Sequence, residues 1–227
     1  MARILSLETA STNCSVSIYD GDVLLALRED PSPSYTHGEL LHVFMDEALA
    51  EAGLKGTYLQ AIAVSKGPGS YTGLRIGVAA AKGLCFALGI PLIAVETLKS
   101  MACQFQDASG VLIPMLDARR MEAYVAVFDT KHTQIEPTRA EVITSESFSK
   151  WVEQGPVHLL GNGVDKCRDL LKHPNFHFHT EIQPRSQEVG LLAKRRFEAG
   201  LFEDVAYFEP CYLKDFILQK KNAKPLK

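Results

Sequence analysis

The residue types best suited to chemistry sit at two short turns. Glu8-Thr9-Ala10-Ser11-Thr12-Asn13-Cys14 sets an acid before a run of small residues, at the end of a short apolar segment. Asp117-Ala118-Arg119-Arg120-Met121-Glu122 repeats the placement in the second half of the chain. An acid followed by small residues, with a glycine among them, lets backbone N–H groups approach a phosphate while the carboxylate organises Mg²⁺. Both turns depart from that pattern. The first has Glu for Asp and Ala10 where glycine is expected; the second has no glycine and puts bulky side chains at the turn. Glu8, Thr9 and Ser11 are the candidate nucleotide-binding residues, set against a purely structural hairpin, which the substitutions favour.

Other clusters carry less. Gly67-Pro68-Gly69-Ser70-Tyr71-Thr72-Gly73-Leu74-Arg75 precedes a helix, where a glycine loop can hold an anion. A P-loop would need Gly-Lys-Ser/Thr, but Leu74 and Arg75 follow Gly73; a dinucleotide fingerprint would need glycine at Thr72. The glycines read better as a tight turn with close helix approach. His37 and His42 are five apart, not the four that puts two imidazoles on one helical face, and His173, His177 and His179 read as surface residues around Pro174. No Gly-x-Ser-x-Gly elbow appears. The cysteines are Cys14, Cys85, Cys103, Cys167 and Cys211, odd in number and without a C-x-x-C pair, so neither a disulfide framework nor a zinc site is expected. The formal net charge of −3 argues against holding nucleic acid by bulk electrostatics. No signal peptide or membrane span is expected, since Gly73 to Leu92 still contains Arg75 and Lys82. The cytoplasm is the expected compartment.

These residues need elements to hold them. Arg3 to Leu7, Cys14 to Tyr19 and Val23 to Arg28 read as three antiparallel strands, with Asp20-Gly21 turning the first hairpin pair. Leu40, Leu41, Phe44, Met45, Ala48, Leu49 and Ala52 recur at helical steps and place a helix over Thr36 to Ala52. A strand over Ala61 to Ser65 leads to a second helix capped by Thr72 and ended by Gly89; Pro91 to Val95 is a strand and Thr97 to Gln106 a third helix. The second half repeats the order: strands at Val111 to Leu116, Tyr124 to Phe128 and Arg139 to Ile143, a helix over Ser145 to Glu153, and a strand at Val157 to Leu160. Gly161-Asn162-Gly163 follows, then a helix over Asp165 to Lys172, a strand over Phe176 to His179 and a helix over Ser186 to Ala199. The expected class is α/β, a duplicated RNase H-like fold of the actin-like superfamily with two βββαβα-type halves. The halves divide as 1–108 and 109–227, with the boundary near Asp107 to Gly110. The lysine-rich tail from Lys214 is expected to fray.

The second helix carries a further signal. Gly73, Gly77 and Ala81 fall at four-residue intervals, as do Ala79, Gly83 and Ala87, so two faces are smooth. Each glycine inside a helix costs about 1 kcal/mol relative to alanine, tolerable where close packing returns more. One side packs on its own sheet; the other meets a neighbouring helix or another subunit.

Ile4-Leu5-Ser6-Leu7-Glu8-Thr9-Ala10-Ser11, Lys66 through Gly77, Ala81-Lys82-Gly83-Leu84 and Leu116-Asp117-Ala118-Arg119 together resemble the TsaB (YeaZ) family. The resemblance is strong to about residue 125 and continues more weakly through Gly161-Asn162-Gly163 and Pro210-Cys211-Tyr212-Leu213. It implies a part in making threonylcarbamoyladenosine beside the anticodon of tRNAs that read codons beginning with A. It further implies a paralogous partner, TsaD, that transfers the carbamoyl group and binds metal through a His-x-x-x-His pair. That pair falls on Thr97 and Met101 here, neither a credible ligand for a hard or borderline metal. The same loss counts against a peptidase. The expectation is a non-catalytic scaffold without cofactor or metal, pairing with TsaD, joined by the ATPase TsaE, homodimerising when isolated and meeting tRNA only indirectly. The expected interface is Leu41, Met45 and Ala48 of the first helix with Gly73, Arg75, Ile76, Gly77, Ala80, Ala81 and Leu84 of the second. The alternative is a small-molecule kinase or ATPase using Glu8, Thr9 and Ser11.

Overall fold

A computed structural model describes residues 2–106 and 109–214. Strands β1 (Arg3–Glu8), β2 (Cys14–Asp20) and β3 (Val23–Asp30) form an antiparallel meander, and β4 (Ala61–Ser65) and β5 (Leu92–Val95) extend it in parallel on the β1 side. The sheet order is β3-β2-β1-β4-β5. Side chains alternate across a pleated strand, so each strand serves two faces. Leu5, Leu7, Cys14, Val16, Ile18, Ile62 and Val64 pack under α1 (His37–Glu51) and α2 (Tyr71–Leu88). Ile4, Ala61, Ala63, Ile93 and Val95 form the opposite face.

The second sheet repeats the plan. Strands β6 (Val111–Asp117), β7 (Glu122–Asp129) and β8 (Gln134–Val142) form the meander, β9 (Val157–Leu160) and β10 (Phe176–His179) the parallel extension, in the order β10-β9-β6-β7-β8. Counted from its own first strand, each sheet therefore has the same order. That repetition is the duplicated RNase H-like, actin-like arrangement.

The helices do not stay with their own halves. The helix α3 (Thr97–Cys103) follows β5 but packs Leu98, Met101 and Ala102 against Leu112, Leu116, Ala126 and Phe128 of the second sheet. The last helix, α5 (Ser186–Glu198), returns to the first sheet, where Val189, Leu192 and Ala193 cover Ile4, Ala61, Ala63 and Val95. Its polar start is held by Ser17 Oγ donating to Ser186 O (2.9 Å), by the Ser15–Ser186 hydroxyl pair (2.6 Å) and by Asn13 Nδ2 donating to Pro184 O (2.9 Å).

Several expectations are corrected. Ser70, not Thr72, caps α2: its Oγ accepts from Gly73 N–H (3.3 Å), and the helix begins one residue later. The helix expected over Ser145 to Glu153 shrinks to α4 (Ser149–Val152), because buried Phe148 stands at φ 64° in the left-handed region and breaks it. The helix expected over Asp165 to Lys172 is a 3₁₀ turn at Asp165–Cys167; successive tight turns bury Val164, Cys167 and Leu171 in place of helical turns. Strand β8 starts well before Arg139 and contains Pro137, which an edge strand tolerates. His179 is half-buried and packs against Phe105 with ring centroids 4.6 Å apart and planes inclined by 55°, while His173 and His177 are exposed. Asp107 and Ala108 of the expected boundary, and the tail beyond Lys214, lie outside the described residues.

Candidate functional site

The two acidic turns face a cleft of about 590 Å³, lined by Ala10, Ser11, Gly69, Asp117, Arg119, Asn162 and Tyr212 among others. Neither turn offers what a Mg-nucleotide needs. Glu8 is fully buried, and its Oε1 accepts from Ala10 N–H (2.6 Å) and Ser65 Oγ (2.7 Å). Burial pushes its carboxyl up to about 7, against the pull of those hydrogen bonds, so it is a poor anionic partner for a cation. Thr9 is fully buried against α2, and Ser11 Oγ accepts from Asn13 N–H (3.2 Å). The glycine loop closes over the same hairpin, with Ser70 N–H donating to Ala10 O (2.7 Å). Buried His37 donates to Ser11 O (2.7 Å) through Nε2, and burial holds its pKa below the usual histidine value. On the second turn the Asp117 carboxylate is ion-paired to Lys166, and Arg119 and Arg120 occupy positive φ of 71° and 51°. The residues present do not fit a phosphate-and-metal site at either turn.

Thr97 and Met101 are both buried. Thr97 Oγ1 accepts from Gly67 N–H (3.1 Å), and the Met101 side chain packs against Gly161. Each is part of the packing between the loop, α3 and the second sheet.

The second helix is the other candidate. Its Gly73 and Gly77 are required from within: a Cβ at either position would collide with Thr9. Leu41, Met45, Ala48 and Ala81 are buried in the first-sheet core. Of the expected interface residues, these six face inward, which corrects the reading that placed them on an exposed surface. Arg75 is exposed, and Ile76, Ala80 and Leu84 are half-buried. The outward stripe is instead Arg75, Ala79, Gly83, Phe86 and Ala87. Phe86 is 86% exposed, and a Cβ at Gly83 would meet nothing among the described residues within 4 Å. Phe86 was not singled out from sequence, and it follows buried Cys85 by one residue, about 100° around the helix. Lys82 reaches across to the carbonyls of Ala206 (3.1 Å) and Phe208 (3.0 Å), tying the C-terminal segment to the helix.

Comparison with known proteins places these features. The family model described as "TsaD: tRNA N6-adenosine threonylcarbamoyltransferase" matches residues 32–219. The tRNA threonylcarbamoyladenosine biosynthesis protein TsaB of Escherichia coli is 30% identical over 96% of this chain and 97% of its own length. The chain belongs to the TsaB (YeaZ) family. The Bacillus subtilis TsaB is 34% identical over 69% of this chain and 70% of its own. The solved YeaZ of Pseudomonas aeruginosa superposes with a TM-score of 0.77 at 23% identity, covering 94% of this chain and 100% of that one, which is agreement in fold. Within the TsaB family frame, the carbonyl-rich C-terminal segment and the exposed α2 stripe lie on one side of the first sheet, and α5 lies on the other.

Proposed function

We propose that this chain is a non-catalytic scaffold subunit in the cytoplasmic synthesis of threonylcarbamoyladenosine next to the anticodon of ANN-decoding tRNAs. It acts by pairing with a TsaD paralogue, with TsaE joining the complex and tRNA contacted through the partners. The observation that carries this reading is the outward stripe of α2: a phenylalanine 86% exposed beside a mid-helix glycine that no packing among the described residues requires. An exposed aromatic next to a residue that admits close helix approach suits a helix–helix interface. The non-catalytic part rests on Thr97 and Met101, which are core residues at the positions where the partner's metal pair would align. The kinase alternative lacks support, since Glu8 is buried and hydrogen-bonded to Ser65 and the Asp117 carboxylate is taken by Lys166.

The test is co-purification with the TsaD paralogue, followed by a modification assay in vitro. Phe86→Asp is expected to reduce capture at least tenfold with an unchanged melting temperature, and to lower tRNA modification in parallel. The same substitution should convert any homodimer of the isolated chain to monomer. Full capture by the Phe86→Asp variant would place the interface elsewhere. Gly77→Asp is a poor probe, because its side chain would be driven into Thr9 and the fold would fail first.

A further inference from the structure

The chain that joins the two halves is gripped by imidazoles of the second half. His132, in the β7–β8 turn, donates through Nε2 to Phe105 O (2.9 Å), just beyond α3. His158 of β9 donates through Nε2 to Ser109 O (3.2 Å), just before β6. The Phe105 ring lies against both His158 and His179, with centroids 4.6 Å from each. His158 is only 5% exposed, and its Nδ1 is 3.2 Å from His179 Nε2.

A carbonyl only accepts, so the contact with Ser109 O places the proton of neutral His158 on Nε2. Its Nδ1 is then a lone pair, and His179 Nε2 must donate to it. His179 Nδ1 lies 3.6 Å from Glu181 Oε1, an acceptor. One added proton on His179 Nδ1 therefore completes a chain of donors: Nδ1–H toward Glu181, Nε2–H to His158, and His158 Nε2–H to Ser109. A second added proton is left with His158 Nδ1. There it sets two N–H groups head to head across 3.2 Å and places two like charges side by side, one of them on a buried ring. Among the described residues, the ionisable groups that face the pair are Glu181, which favours the first charge, and His177 of β10, stacked on His158 at 5.0 Å, whose own charge opposes the second. Leu112, opposite His158 on β6, and Phe105 on the α3 side are apolar.

We propose that His158 and His179 form a proton-operated clasp on the segment joining the two halves, which stays shut with one added proton and opens on the second. The shut pair holds one proton fewer than two free imidazoles, so lowering the pH through the histidine range favours the open state. Opening parts the two rings that flank Phe105 and loosens the end of α3, where Gln104 and Phe105 N–H donate to Met101 O (3.2 Å) and Ala102 O (3.1 Å). The clasp sits on the second sheet and does not depend on partner docking through α2.

The test follows the full chain from pH 8 to 4.5. Imidazole ¹H–¹⁵N spectra read the protonation of each ring nitrogen, and amide-exchange protection at Gln104 and Phe105 reads the clasp. Two steps are expected: a proton on His179 Nδ1 with protection retained, then one on His158 Nδ1 with protection at least tenfold lower, while β1 and β4 stay protected. His158→Gln keeps a donor for Ser109 and an acceptor for His179 but takes up no proton, so its protection should hold down to pH 4.5. The order of the two steps is read on the wild-type chain and decides the matter should that variant fail to fold. Entry of both protons in one step, a first proton on His158, protection lost with the first proton or unchanged through both, equal loss in β1 and β4, or a folded His158→Gln that loses protection as the wild type does each overturns the proposal.

Discussion

Glu8 takes hydrogen bonds from Ala10 N–H and Ser65 Oγ on one oxygen and leaves Oε2 without a donor among the described residues. Its raised pKa makes it a pH-dependent load on the fold. The unfolded carboxyl titrates near 4.5 and the folded one near 7, so between those values the folded state holds more protons than the unfolded state. Stability from this group is fully present below about 4.5, falls as the pH rises, and is lost above 7. A shift of that size corresponds to about 3 kcal/mol. Glu8→Gln keeps the accepting oxygen and mimics the protonated acid. The stability difference between variant and wild type, from urea unfolding, should therefore grow by about 3 kcal/mol in the variant's favour between pH 4.5 and 8. Glu188, also pushed up to about 7 by burial, accounts for slope that persists in the variant. Parallel pH profiles for the two proteins would show that no charge is buried at Glu8.

At the scale of the element, the glycines of α2 separate into two kinds that one substitution each can tell apart. Gly77 lies against Thr9 of the β1–β2 hairpin with no room for a methyl group. Gly77→Ala is expected to destabilise the chain by about 1–3 kcal/mol through overpacking. Gly83 faces open space, so Gly83→Ala should stabilise the isolated chain by about 1 kcal/mol through helix propensity, yet weaken capture of the partner by filling the notch. Chemical unfolding paired with co-purification reads both effects. Equal stability changes at the two positions would contradict the assignment of inner and outer faces. The same helix shows how far sequence reaches. The four-residue period of Gly73, Gly77 and Ala81 was legible, as was Gly89, which ends the helix at φ 64°. Which face turns inward was not, because the group that fills the inner notch, Thr9, is more than sixty residues away in the chain. The strands of both sheets were legible from alternation and turn residues. The turns after Gly163 were misread because Val164, Cys167 and Leu171 satisfy a helical spacing without forming a helix. A cavity on the α5 side of the first sheet left no trace in the sequence, since its lining residues Asn13, Glu29 and the Gln183–Glu188 stretch come from three separated segments with no common motif.

At the scale of the whole molecule, the exchange of α3 and α5 between sheets decides how the two halves depend on each other. We propose 1–108 and 109–227 as halves of a duplication that are not independent folding units. A chain cut at that boundary would leave the first sheet without α5, baring Ile4, Ala61, Ala63, Ile93 and Val95, which are essentially inaccessible in the intact chain. The second sheet would lose α3 and with it the cover over Leu112, Ala126 and Phe128. Burying a large apolar side chain stabilises by roughly 1.5–3 kcal/mol, so exposing two or three on each side removes an amount comparable to the total stability typical of a domain. The polar anchors fail with the packing, because Asn13, Ser15 and Ser17 lose Pro184 and Ser186, and Glu29 loses Arg185. Each fragment alone is therefore expected to lack a cooperative thermal transition, and co-expression of the two to restore one. The intact chain should unfold in a single transition, with fluorescence from Trp151 in the second half and amide exchange in β1 and β4 of the first reporting the same midpoint. A fragment 1–108 that melts cooperatively by itself would show that the returning helix is dispensable, and the halves would then be domains in the full sense.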